Sequence, residues 1–192
     1  MEIKTIDELN KTLNKIPGVS KKQADRISNF LLNQPREFSD EIISKINDLK
    51  NNITFCPKCC FIVENGKCLN CDRDNVWNIL MVVESVQNAK KIFDMNFYDG
   101  YFYILPYLLD IDKKDDYNYP NLIKFAKEKK VDEVVLVLSP TLEGSMTNEH
   151  LSKLLKENNF KVSRAAIGLP MGANIEYLDS YTIKQSIENR TK

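Results

Sequence analysis

The sequence predicts an α/β protein assembled from a small helical head, a four-cysteine metal motif and a mostly parallel sheet layered with helices. Three observations carry that expectation: helical apolar spacing over the first fifty residues, two C-x-x-C pairs in close succession, and short unbroken apolar runs that alternate with helical stretches. The runs Ile79-Leu-Met-Val-Val83 and Val134-Val-Leu-Val-Leu138 suit strands covered on both faces.

At the head, Ile6, Leu9, Leu13 and Ile16 recur near helical spacing, and Ile16-Pro17-Gly18-Val19-Ser20 interrupts them. Lys21 to Asn33 resumes the pattern with Ala24, Ile27, Phe30 and Leu31 on one face, so a helix, a hairpin turn and a second helix are expected. After Pro35, Ser39 is expected to cap a third helix bearing Ile42, Ile43, Ile46 and Leu49. Domain boundaries are placed at 1–53 for this head, 54–75 for the metal motif, 76–170 for the sheet domain and 171–192 for a C-terminal segment.

Cys56-Pro-Lys-Cys59 and Cys68-Leu-Asn-Cys71 are separated by eight residues, and Gly66 can supply the reversal between them. Each C-x-x-C turn aims two thiolates at one point, and two turns complete the tetrahedral shell that Zn²⁺ accepts. A closed shell of four sulfurs holds structure and leaves no open position for chemistry. Cys60 is left over as a non-ligand. The competing expectation, buried or redox-active cysteines, needs only one pair and leaves the doubled spacing unexplained.

Beyond the cysteines, strands are expected near 79–83, 101–105, 134–138 and 161–167, with helices over 85–95, 120–130 and 145–158. Residues 107–119 read as an exposed, mobile loop. Arg164 to Gly172 reads as a shaped loop, and a last amphipathic helix carries Ile183 and Ile187.

Charge narrows the functional classes. Lys plus Arg and Asp plus Glu each number 27, so no global basic excess favours nucleic acid, and any DNA affinity must be local. From Lys11 to Arg36 the chain holds Lys11, Lys15, Lys21, Lys22, Arg26 and Arg36 against Asp25 alone. A Gly18-containing turn followed by a helix N-terminus can present backbone amides to a phosphate, with Lys21, Lys22 and Arg26 alongside. Ser20 stands where such hairpins commonly carry a second glycine, which weakens that geometry. An ordinary helical hairpin whose lysines face water remains open. Glu84 ends the first strand run, where α/β sheets place working residues. The next central strand, however, ends in Ser139-Pro-Thr-Leu-Glu143-Gly144 and offers no carboxylate cluster for Mg²⁺. His150, the single histidine, is expected on an exposed helix face. The polar start MEIKTIDELNKTL and the lack of a spanning apolar window lead to a cytoplasmic expectation.

Taken in order, Ile16-Pro-Gly18-Val, the doubled C-x-x-C, Val82-Val83-Glu84, Pro140-Thr-Leu-Glu143-Gly144 and Gly168-Leu-Pro170-Met-Gly172-Ala-Asn-Ile-Glu176-Tyr177 resemble the RecR recombination mediator family over nearly the whole chain. The resemblance implies a helix-hairpin-helix, a Cys₄ zinc motif with one ion per chain on Cys56, Cys59, Cys68 and Cys71, a Toprim-like domain without nuclease activity, and a C-terminal oligomerisation segment. It also implies dimers or tetrameric rings that act with RecO and RecF to load recombinase at gapped single- or double-stranded DNA, in a bacterial nucleoid-associated setting. The family's DNA-contacting basic positions fall on Lys22 and Arg26, and its RecO-contacting Toprim glutamates on Glu84 and Glu143. Departures are Val83-Glu84-Ser85-Val86 for Val-Glu-Glu-Pro, Ser139-Pro140-Thr141 for Asn-Pro-Thr, and a Gly-free 106–119. The alternative expectation is a Mg²⁺-dependent Toprim nuclease or primase-like enzyme using Glu84.

Overall fold

A computed structural model describes residues 3–110, 112 and 118–190, and the chain divides into two compact units, Met1–Asn52 and Ile53–Lys192. In the first unit, α1 (Lys4–Leu13) and α2 (Lys21–Leu32) form the expected hairpin, turning at Gly18 with φ +84°. Ser20 is the N-cap of α2: its hydroxyl accepts from the Gln23 amide while Gln23 Oε1 accepts from the Ser20 amide at 2.7 Å. That reciprocal pairing satisfies two first-turn donors and explains why a serine stands here. Ala24 and Ser28 are buried under α1, and the Ser28 hydroxyl bonds to Asn10 Oδ1.

The third helix, α3 (Arg36–Asn52), starts earlier than expected. Ser39 is no cap. Pro35 sets the preceding turn, and its carbonyl accepts from the Phe38 amide at 3.1 Å, which opens the helix one turn sooner. Along α3 no residue is buried, and Ile43, Ile46 and Leu49 are each more than half exposed.

The second unit opens with a three-stranded antiparallel knuckle, β1 (Ile53–Phe55), β2 (Ile62–Glu64) and β3 (Lys67–Cys68). Asn65 and Gly66 both take positive φ, 49° and 78°, as the two-residue reversal between β2 and β3 requires. Behind it lies a four-stranded parallel sheet of β4 (Trp77–Val83), β5 (Gly100–Ile104), β6 (Glu133–Leu136) and β7 (Lys161–Arg164), ordered β5-β4-β6-β7. Side chains alternate along β4: Leu80 and Val82 enter one core, Met81 and Val83 the other. Helices α5 (Pro120–Glu128) and α6 (Leu142–Glu157) cover the first face through Leu122, Phe125, Leu151 and Leu155. Helix α4 (Val86–Asp94) covers the second through Ala89 and Ile92. Fully burying each of Leu122, Phe125, Leu151 and Leu155 contributes about 1.5–3 kcal/mol, and the double cover stabilises the Leu80–Val83 stretch of β4, which is buried on both faces. A one-turn 3₁₀ helix (Ile175–Tyr177) and α7 (Ser180–Glu188), capped by Asp179, complete the chain.

Two further expectations need correction. Helix α6 begins at Leu142, not near 145, because the Thr141 hydroxyl accepts from the Gly144 amide and starts the helix there. The 107–119 stretch is not uniformly exposed: Leu109 and Tyr119 are buried, and the Leu109 amide donates to Thr147 Oγ1 at 2.9 Å. Residues 111 and 113–117 of that stretch lie outside the described residues. No helix among the described residues is long and apolar enough to cross a membrane.

Candidate functional site

Cys56, Cys59, Cys68 and Cys71 converge so that their sulfurs all lie within 4.8 Å of one another. Cys56–Cys71, Cys59–Cys68 and Cys59–Cys71 sulfurs are 3.8, 3.7 and 3.4 Å apart. With metal–sulfur bonds of about 2.3 Å, a tetrahedral shell has sulfur–sulfur edges of about 3.8 Å. The donor set and its spacing therefore fit one tetrahedral ion. Cys60 takes φ 58° and stands outside the cluster.

The Cys59 thiol is pushed down to about 5, chiefly by the hydrogen bond from Cys71, whose own thiol that contact drives up. Burial takes Cys68 up to about 11. A divalent cation bound among these sulfurs would ionise all four. The Cys71 amide donates to Cys68 Sγ at 3.2 Å, orienting that sulfur inward.

The knuckle also closes the outer edge of the sheet. On β5, whose far side has no neighbouring strand among the described residues, the outward groups are those of Gly100, Phe102 and Ile104. Asn70, 1% exposed, bonds Phe102 twice: its amide nitrogen donates to the Phe102 carbonyl and its oxygen accepts from the Phe102 amide, both at 2.8 Å. Arg73 Nη1 donates to the Gly100 carbonyl at 3.1 Å, and the Ile104 amide donates to the Cys59 carbonyl at 3.0 Å. An edge strand is ordinarily a template for pairing with another chain. Here the cysteine loops take that place, a role that motif spacing alone did not disclose.

At the carboxyl end of the sheet, Glu84 follows β4 and Ser85 caps α4. Both Glu84 oxygens are engaged: Oε1 accepts from the Ser139 amide at 2.5 Å and Oε2 from the Ser139 hydroxyl at 2.9 Å. Glu143 is exposed in the first turn of α6. Gly144 sits so near the β6–α6 turn that a Cβ would overlap the Ser139 carbonyl oxygen. Sequence alone does not disclose Ser139 as the partner of Glu84, although its place after the neighbouring strand is a signal for it. His150 is half-buried, its ring centroid 6.1 Å from that of Tyr119, where an exposed position was expected. Among the described residues, the groups of three or more His, Cys, Asp or Glu able to hold an ion reduce to the four cysteines.

In the first unit, Lys21, Lys22 and Arg26 are exposed, as is Gly18 at the hairpin. Lys21 and Lys22 open α2, where backbone amides lack intrahelical acceptors. Among the described residues, no carboxylate lies within 4.0 Å of these three cations. Lys21 also borders a recess of mixed sign lined by Asp7, Glu8, Lys4 and Lys11.

Comparison with known proteins agrees with this architecture. Residues 78–166 match the Toprim domain and residues 168–191 the RecR C-terminal region. The chain is 36% identical over 194 aligned positions to "Recombination protein RecR" of Mycoplasmopsis pulmonis, covering 99% of this chain and all of that protein. It is 35% identical to the protein of the same name from Finegoldia magna (97% of this chain, 96% of that one) and 34% to that of Bifidobacterium adolescentis (91% and 90%). With this identity sustained from the helical hairpin through the cysteines and the Toprim sheet to the C-terminal segment, the chain belongs to the RecR family.

Proposed function

We propose that the chain is a DNA-binding recombination mediator without catalytic activity, acting with RecO and RecF to load recombinase at single-stranded gaps. The observation that carries this reading is the exposed hairpin of Gly18, Lys21, Lys22 and Arg26, whose three cations have no carboxylate within 4.0 Å among the described residues. Contacts of this kind grip phosphates and carry no sequence information. The relatives' shared name, "Recombination protein RecR", supports placing that grip in recombinational repair. The finer partition into a metal motif over 54–75, a sheet domain over 76–170 and a C-terminal segment over 171–192 belongs to the same proposal.

The metal is Zn²⁺, one per chain, because four thiolates in a closed shell suit that ion and leave it no free position. Glu84 and Glu143 are the surface offered to RecO. Self-association is supported by apolar side chains that have no cover within their own unit: Ile43, Ile46 and Leu49 on α3, and Met171, Ile175, Tyr177 and Ile187 in the C-terminal segment. A second copy of the chain is the occupant for both.

The test is a salt series of fluorescence anisotropy on gapped DNA with the wild type and Lys22→Glu/Arg26→Glu. Losing two phosphate contacts is expected to weaken binding at least tenfold and to flatten the log–log salt slope by about 1.8. Unchanged affinity and slope would refute the DNA-binding reading. Mg²⁺-dependent nicking that disappears in Glu84→Gln would instead favour the nuclease alternative. The engaged oxygens of Glu84 argue against that alternative, because Mg²⁺ prefers clustered oxygen ligands.

A further inference from the structure

The backbone of Cys71 is held from two sides. Its amide donates to Cys68 Sγ, inside the metal shell, and its carbonyl accepts from Lys129 Nζ at 2.8 Å, from the far end of α5. The same ammonium stands 4.6 Å from the centroid of the Tyr101 ring on β5, a cation–π contact that fixes the lysine between the loop and the sheet. Tyr101 in turn meets Phe125 edge-on at 6.1 Å and packs against the core that contains Cys56, Cys59 and Cys68. Lys129 is half-buried, and its length is used in reaching inward from a helix end.

A tetrathiolate shell around a divalent cation carries four negative charges against two positive, a net charge of minus two. In a site this buried, such a charge is costly unless opposite charge and donors stand nearby. We propose that Lys129 is a positioning residue for the metal centre: it holds the second C-x-x-C loop against the sheet and offsets the charge of the ligand shell. The inference rests on the reading of the four cysteines as a metal site. It also links metal retention to the seating of α5, because the lysine bridges one to the other. Without this lysine the second C-x-x-C loop is less firmly seated and the charge of the shell less offset, so chelators and protons should take the metal more readily.

The experiment compares the full-length metal-loaded protein with Lys129→Met, Lys129→Arg and, as a control on the outer face of α5, Lys127→Met. Zinc transfer to a coloured chelator is followed over time, along with the pH at which half the zinc is lost. Cobalt-loaded samples check, by the thiolate charge-transfer band, that each variant still builds a four-sulfur site. Lys129→Met is expected to release zinc about tenfold faster, within the range for lost outer-shell partners, and to lose it at a higher pH. Lys129→Arg should restore both values, because it keeps the charge, a donor and the ring contact, and Lys127→Met should match the wild type. If Lys129→Met matches the wild type in rate and pH midpoint, or Lys129→Arg fails as badly as Lys129→Met, the proposal is overturned. A wild type that binds no metal would overturn the metal reading itself, a result distinct from either.

Discussion

The double hydrogen bond of Asn70 allows a quantitative forecast. Replacing Asn70 by Ala removes both partners of Phe102, a residue 1% exposed, and leaves a buried amide and a buried carbonyl unpaired on the β5 edge. Each buried polar group left without a partner costs about 1–3 kcal/mol. Water entering the space vacated by the carboxamide recovers part of that, so about 3 kcal/mol is expected for the pair. Against a total stability of about 5–15 kcal/mol this is a large fraction. In urea, with a slope near 2 kcal/mol per molar, the midpoint should fall by about 1.5 M. Trp77, the single tryptophan, lies at the start of β4 and reports unfolding of this unit by fluorescence. Asn70→Asp should do no better than Ala, because it keeps the acceptor for the Phe102 amide but sets a second oxygen against the Phe102 carbonyl. A midpoint shift below 0.3 M for Asn70→Ala, a limit of about 0.6 kcal/mol at the same slope, would mean that the strap contributes little and that the edge is closed by other means.

Further outcomes follow from the same geometry. Cys68→Ser should bind less than one ion per chain and recover as aggregated or poorly folded protein; mass spectrometry under native conditions counts the ion, and a full complement in a folded variant would contradict the four-sulfur shell. Gly144→Ala should destabilise by about 1–3 kcal/mol, the usual cost of forced overpacking, because its methyl group must displace the Ser139 carbonyl; thermal melting with an unchanged midpoint would count against that crowding. Glu133 is held below the ordinary carboxylate range by its bond from Lys161, then by that from Ser163. A depressed folded-state value stabilises the protein above the unfolded carboxylate's range, and the contribution is lost as pH falls through the folded value. Lys161→Met should therefore raise the Glu133 value in a carboxyl NMR titration and weaken the acid dependence of stability, and an unmoved Glu133 titration would dismiss the pairing.

Much of the fold was legible in periodicity. Apolar runs located β4 and β6, the alternation of strands and helices placed β5 and the start of β7, which ends at Arg164 rather than near 167, and helical spacing located α1, α2 and α4 to within a few residues, because local pattern and tertiary burial agree there. The four cysteines were legible for a related reason: ligand spacing is a short-range property of the chain. What escaped were pairings across long separations. Asn70 meets Phe102 across 32 positions, Glu84 meets Ser139 across 55, and Lys129 meets Cys71 across 58. No local signal marks such a polar residue as a strap rather than a solvated side chain. Ser39 misled in the opposite direction, since a capping residue type sat inside a helix that Pro35 had already begun. The hairpin serine is legible as a departure, yet its use as a reciprocal cap with Gln23 shows only in the folded chain.

The strap at β5 bears on how the protein would fail in a cell short of metal. On the proposed metal reading, loss of the ion leaves the cysteine loops without their common anchor, and Cys59, Asn70 and Arg73 should let go of the strand they cover. The rim then bared presents the unpaired backbone groups of Gly100, Phe102 and Ile104, and such rims recruit identical chains. Starvation for the ion should thus remove the protein by clumping, visible as pelleted material in a centrifuge, rather than leave a pool of dispersed chains waiting to be refilled.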